Sequence, residues 1–152
     1  TSMRDPQGAP IELAPGALAG LAPQGAGPAR ALRLSPQHRV LIRGPAGEEA
    51  LVPVRALVGL PGVRAVEEAA AAEYIHLLLG RHEILLAEGA AVESFRPGPV
   101  ALRGLPRGQR EALYAATPGL RADPLGAIGP PARPLMAMKA ARALLRAQVC
   151  AA

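Results

Sequence analysis

The sequence predicts a mainly β fold with a helical C-terminal extension. Three observations lead there. The apolar runs before Pro99 are short, Gly and Pro (17 of each in 152 residues) punctuate them, and runs with three- and four-residue apolar spacing come only after Pro99. Half of the residues are hydrophobic, yet Tyr74, Phe95 and Tyr114 are the only aromatic ones, so the core has to be built from Leu, Val, Ile and Ala.

Residues 1–33 read as loop and short strand. Pro6, Pro10, Pro15, Pro23 and Pro28 rule out a long helix, while Ile11-Glu12-Leu13 alternates as a strand does. Ala31 to Ile42 is strand-like, divided by Ser35-Pro36. Glu48-Glu49 follows Gly44-Pro45-Ala46-Gly47 in a polar turn. Ala50-Leu51-Val52-Pro53-Val54 is the next strand, closed by Arg55 to Leu60 before Pro61-Gly62. Val66 to Ala72 is rich in helix-favouring Ala and Glu, but it runs straight into the strand-like Tyr74-Ile75-His76-Leu77-Leu78-Leu79 and is read as strand or exposed loop. Gly80-Arg81 is a turn or bulge, His82 to Leu86 a strand and Gly89 a turn. Val92-Glu93-Ser94-Phe95 is a last short strand ending at Pro97-Gly98-Pro99. Arg107 to Ala116 is a helix stopped by Thr117-Pro118-Gly119. A Gly/Pro loop covers Leu120 to Pro134. Leu135 to Val149 is the best helix, with Leu135, Met138, Arg142, Leu145 and Val149 on one face. The chain therefore divides into a β-rich body, residues 1–104, and a helical extension, residues 105–152.

Composition excludes several classes of function. The net charge of +5 invites a nucleic-acid partner. Against it, Lys139 is the only lysine, the arginines are scattered, and aromatics for base stacking are scarce. Ala, Gly, Pro and Arg, all with GC-rich codons, make up more than half of the chain, which accounts for the arginine excess without a ligand. No apolar run is long enough to span a membrane. The start, Thr1-Ser2-Met3-Arg4-Asp5-Pro6, has no signal-peptide pattern. Cys150 has no intramolecular disulfide partner. His76 and His82 are too far apart in sequence for a short zinc-ligand pair, and no Gly-x-Ser-x-Gly elbow is present, so neither a metal, another cofactor nor a serine hydrolase is expected.

The chemistry-bearing residues lie in two segments, Leu34-Ser35-Pro36-Gln37-His38-Arg39-Val40-Leu41-Ile42 and Tyr74-Ile75-His76-Leu77-Leu78-Leu79-Gly80-Arg81-His82-Glu83-Ile84-Leu85-Leu86-Ala87-Glu88-Gly89. Each sets a histidine into an apolar run, where a buried imidazole is costly unless paired. Taken with Val92-Glu93-Ser94-Phe95, these segments resemble the Hint (Hedgehog/intein) autoprocessing domain, in particular a bacterial subgroup. Ser35-Pro36-Gln37-His38 matches that family's Thr-x-x-His motif with serine in place of threonine, and Gly80 stands where the subgroup has an aspartate.

The resemblance implies a partial Hint-type β fold, horseshoe-like with pseudo-twofold symmetry. It also implies self-cleavage of the backbone by a cysteine N-to-S acyl shift. That step needs a protonated leaving amine and a stabilised oxyanion. By resemblance His38 acts as acid toward the amide nitrogen, Ser35 hydrogen-bonds the scissile region, and His82 is a further catalytic residue; His76 is read as structural. For His38 the bland alternative is a capped histidine beside a strand break, and for His82 a structural histidine bonded to a backbone carbonyl. The family's nucleophilic cysteine has no counterpart ahead of Ser35, and the chain has no asparagine for the cyclisation of splicing inteins. The expectation is thus a Hedgehog-like domain lacking its cysteine-bearing N-terminal part, inert alone, whose partner is that part in cis or in trans. The alternative is a degenerate module that keeps the fold and binds a partner. Such bacterial proteins are often secreted.

Overall fold

The structure is a computed structural model that describes residues 8–67 and 74–151. Its β-strands form two antiparallel sheets. In the smaller sheet β1 (Ile11–Leu13) lies between β2 (Leu32–Leu34) and β5 (Val63–Ala65). Glu12 stands opposite Arg33 on one side and Arg64 on the other, and its carboxylate bonds both guanidiniums, at 2.8 and 2.6 Å. These partners hold the Glu12 carboxyl below its ordinary range, Arg33 foremost. The apolar residues beside it, Ile11 and Leu13, point the other way into the core.

The larger sheet has the order β4 (Glu49–Pro53), β3 (Arg39–Arg43), β7 (Ala90–Glu93), β6 (Ile84–Ala87). The β6–β7 hairpin turns at Glu88-Gly89, both with positive φ, 52° and 90°. This is the arrangement whose twist matches that of paired strands, and it favours glycine at its second position. A 3₁₀ turn, Val54–Leu57, follows β4 directly. Ile11, Leu13, Val40, Ile42, Val52, Val54, Leu57 and Val92 form one aliphatic core, which Ala141 and Leu145 complete.

Those last two residues belong to α3 (Met138–Ala151), which packs on the 3₁₀ turn and β4. Before it come α1 (Pro99–Gly104) and α2 (Arg107–Ala116). The loop between α2 and α3 is anchored by Leu120 and Ile128, both fully buried. Two antiparallel sheets with a C-terminal helix make this the mainly β fold read from the sequence, with the helical extension laid back on the body.

Several elements differ from expectation, each for a physical reason. Tyr74 to Leu79 forms no ladder among the described residues. Its apolar side chains Ile75, Leu77 and Leu79 face outward, and a main-chain hydrogen bond, Phe95 N–H to the Leu77 carbonyl at 2.8 Å, ties the segment to the stretch after β7. The strand expected from His82 starts at Ile84, because His82 N–H bonds the Ile128 carbonyl and Glu83 N–H bonds Ser94 Oγ. The last strand is Ala90–Glu93 rather than Val92 to Phe95, since the tight turn brings Ala90 opposite Ala87. The final helix begins at Met138. Residues 134–136 instead run beside Leu51, whose N–H bonds the Pro134 carbonyl and whose own carbonyl accepts from Met136 N–H. Hence Leu135 is off the helix and Arg142 is exposed, while Ala141 and Leu145 turn inward. Glu49 opens β4 instead of sitting in the turn, and α1, starting at Pro99, was not expected. Most of the Val66 to Ala72 segment lies outside the described residues.

Leu57 is fully buried in the core, on the 3₁₀ turn against which α3 packs, so Leu57→Ala should cost about 2–5 kcal/mol of stability, read as a lowered urea midpoint. A loss below about 1 kcal/mol would mean that the 3₁₀ turn is not part of the cooperative core.

Candidate functional site

Three strand ends meet at one edge of the larger sheet. Val92 faces Val40 across β3–β7 and Leu85 across β6–β7. Continuing both registers brings the approach to β3, the exit from β7 and the approach to β6 side by side. A cleft of about 560 Å³ opens there, lined by Ser35, His38, Arg39, Tyr74, His76 and Glu93, with Val100, Leu105 and Leu135 as an apolar wall.

Ser35 and His38 share a turn: His38 N–H bonds the Ser35 carbonyl at 3.0 Å, and Val54 N–H bonds the His38 carbonyl at 2.8 Å. The histidine is thereby tied to both β2 and the 3₁₀ turn. Its Nε2 is sealed from solvent and has no hydrogen-bond partner among the described residues. Burial, with repulsion from the nearby His76, pulls the imidazole down to about 4, against a smaller favourable contribution from the Glu93 main-chain carbonyl. His38 is therefore neutral at neutral pH. His76 stacks at a tilt on Phe95, with ring centres 4.9 Å apart.

His82 sits apart from these groups. Its side chain is fully buried, it is not among the cleft-lining residues, and both ring nitrogens are engaged. Nδ1 accepts from Ala132 N–H at 2.9 Å, so the ring proton of the neutral form is on Nε2. That nitrogen lies 3.2 Å from Glu93 Oε2 and donates to it. The other Glu93 oxygen accepts from Arg39 N–H at 3.0 Å. The Arg39 guanidinium then reaches back to the carbonyls of Leu51, 3.1 Å, and Met136, 2.9 Å. A closed circuit results: Ala132 to His82, His82 to Glu93, Glu93 to Arg39, Arg39 to Met136. Burial pushes the Glu93 carboxyl up to about 7, with Arg39 and Arg96 opposing. Burial, followed by Arg96, holds His82 below its ordinary value.

Sequence reading thus picked out Ser35 and His38, which the fold brings to one cleft, and His82, which stands behind that cleft in contact with its lining residues Glu93 and Ser94. Glu93 itself was missed as a site residue. The signal was present: a carboxylate ending the apolar run Ala90-Ala91-Val92 poses the same burial problem as a histidine in an apolar strand. Among the described residues no group of His, Cys, Asp and Glu could hold a metal ion.

A model of the Hint domain family matches residues 1–99. The chain belongs to the Hint domain family. No curated protein and no solved structure matches it. The matched part of this Hint domain holds Ser35, His38, Arg39, His82 and Glu93, whereas Ala132 and Met136, which close the circuit, lie beyond it.

The two perturbed groups act oppositely on stability. Glu93, raised in the fold, contributes stability that is complete below pH 4.5 and lost as pH rises through about 7. His38, depressed in the fold, contributes stability that is complete above 6.5 and lost as pH falls through about 4, and His82 adds to the same acid-side loss. Between these limits they offset one another. Glu93→Gln removes the opposing group, so the variant should lose stability more steeply than the parent on acidification from neutral pH, by up to about 3 kcal/mol in all. Urea midpoints across that range give the comparison; parallel slopes would contradict the buried-acid assignment.

Proposed function

We propose that this Hint domain cleaves a peptide backbone by an N-to-S acyl shift, with the junction and its cysteine supplied by a segment that enters the cleft. The observation that carries this reading is the juxtaposition of Ser35 and His38, in the Hint-type motif, on one wall of a cleft whose volume suits an extended segment of a few residues. In the step, the thiol sulfur bonds to the carbonyl carbon of the preceding residue and the C–N bond breaks. His38 enters neutral and takes the thiol proton on its unpartnered Nε2, and the proton so taken up makes good the one that the leaving amide nitrogen gains. Acid–base assistance of this kind is typically worth about 10²–10⁴ in rate. Ser35 hydrogen-bonds the junction. His82 is a positioning residue, and water or another nucleophile resolves the thioester.

The outward row Ile75, Leu77 and Leu79 beside the cleft supports a segment docking there, because adjoining exposed apolar side chains gain by being covered. The same row alone favours the second reading, a module that binds a partner and does not cleave.

The two readings separate in one experiment. The domain is joined to a cysteine-bearing N-terminal Hint segment and followed by gel mobility with and without dithiothreitol. Cleavage at the residue before the cysteine, accelerated by the thiol, is expected, and His38→Ala should slow it at least 100-fold. Stable association with no cleavage would favour the binding module. Equal cleavage after the cysteine is changed to alanine would exclude the acyl shift.

A further inference from the structure

We infer that Glu93 is the second proton-carrying group of the cleft, the residue that holds and returns the proton His38 moves. This rests on the acyl-shift reading and adds to it a residue that neither the motif nor the histidine pattern singled out.

The geometry comes first. Glu93 lines the cleft together with His38 and Ser35, and its side chain is only 13% exposed. Each of its oxygens already accepts one N–H, from Arg39 on one side and His82 on the other. Neither donor can become an acceptor. The first is a main-chain amide, and the second is fixed as Nε2–H because Nδ1 is occupied by Ala132 N–H. A proton on Glu93 therefore has to use a remaining lone pair on one of the oxygens, away from both donors. The charged and titratable groups around it are Arg39 at the start of β3, Arg96 beyond β7, His82 before β6, and His38, His76 and Tyr74 in the cleft.

The chemistry follows from the contrast between the two acids. An imidazole depressed to about 4 gives up a proton almost as soon as it gains one at neutral pH, whereas a carboxyl near 7 is half protonated there. The balanced step starts from neutral His38 and protonated Glu93. The cysteine thiol loses its proton to His38 as the S–C bond forms. The leaving nitrogen takes the proton of Glu93 as the C–N bond breaks, and the His38 proton then restores the Glu93 carboxyl. Nothing is consumed.

Carbon-detected NMR of the chain with labelled Glu side chains, the Glu93 signal identified by its absence in Glu93→Gln, tests the proton directly. A carboxyl titrating near pH 7, with His38 ring shifts following the same midpoint, is expected. A midpoint in the ordinary range of 4 to 5 would overturn the inference whether or not any cleavage is seen. In the cysteine-joined protein, the rate of thioester formation should fall as pH rises through about 7. Glu93→Gln should lower it by about 10²–10⁴ and abolish that limb, while Glu93→Asp, which keeps an acid, should retain a limb at reduced rate. Circular dichroism of both variants checks that the sheets persist. A folded Glu93→Gln that forms thioester at the parent rate would overturn the inference. If instead the joined protein carrying every native residue fails to cleave, the acyl-shift reading falls, and the carboxyl titration still decides whether Glu93 carries the proton.

Discussion

A carboxylate held between two fixed N–H donors is the constraint on which the site depends. Burying the Glu93 carboxylate is costly, which raises its pKa to about 7, and its partners offset part of that cost. Arg39 N–H and His82 Nε2–H supply that offset from opposite sides. In doing so they tie the start of β3, the end of β7 and the approach to β6 together at the mouth of the cleft. Arg39 follows His38 directly, so the bond that satisfies Glu93 also fixes where the neighbouring imidazole sits.

The circuit does not close within the β body. The tautomer of His82 is set by Ala132 N–H, and the guanidinium of Arg39 is held by the Met136 carbonyl. Both come from the segment that leads into α3, and Leu51 of β4 bonds the same stretch of backbone on both its N–H and its C=O. Ala141 and Leu145 then bury the first turns of α3 in the core. The stretch from 128 to 145 thus acts as a strap across one sheet edge, and hydrophobic burial of the helix sets the position of two hydrogen bonds in the site. Sequence distance is no guide here, since the part that matches the Hint family ends at residue 99.

Much of the fold was legible because it rests on local pattern. Ile11-Glu12-Leu13 alternates, Ser35-Pro36 breaks a strand as proline does, and Gly89 closes a hairpin that needs positive φ. Elements decided by distant partners were not legible. Tyr74 to Leu79 has the composition of a strand but no ladder among the described residues, and Leu135 left the helix because Leu51 offered it a sheet edge. The site divides in the same way. Ser35 and His38 were read from the resemblance of Ser35-Pro36-Gln37-His38 to the Hint family's Thr-x-x-His motif, a local signal. The placement of His82, and the part played by Glu93, depend on a register between β6 and β7 and on a backbone amide 50 residues away.

The most direct test is the tautomer of His82, read from the nitrogen chemical shifts of its labelled imidazole at neutral pH. A ring protonated at Nε2, with Nδ1 as a hydrogen-bonded acceptor, is the required result, since only that form donates to Glu93 while accepting from Ala132. A ring protonated at Nδ1 would leave Glu93 facing a bare nitrogen and would contradict the circuit at its centre.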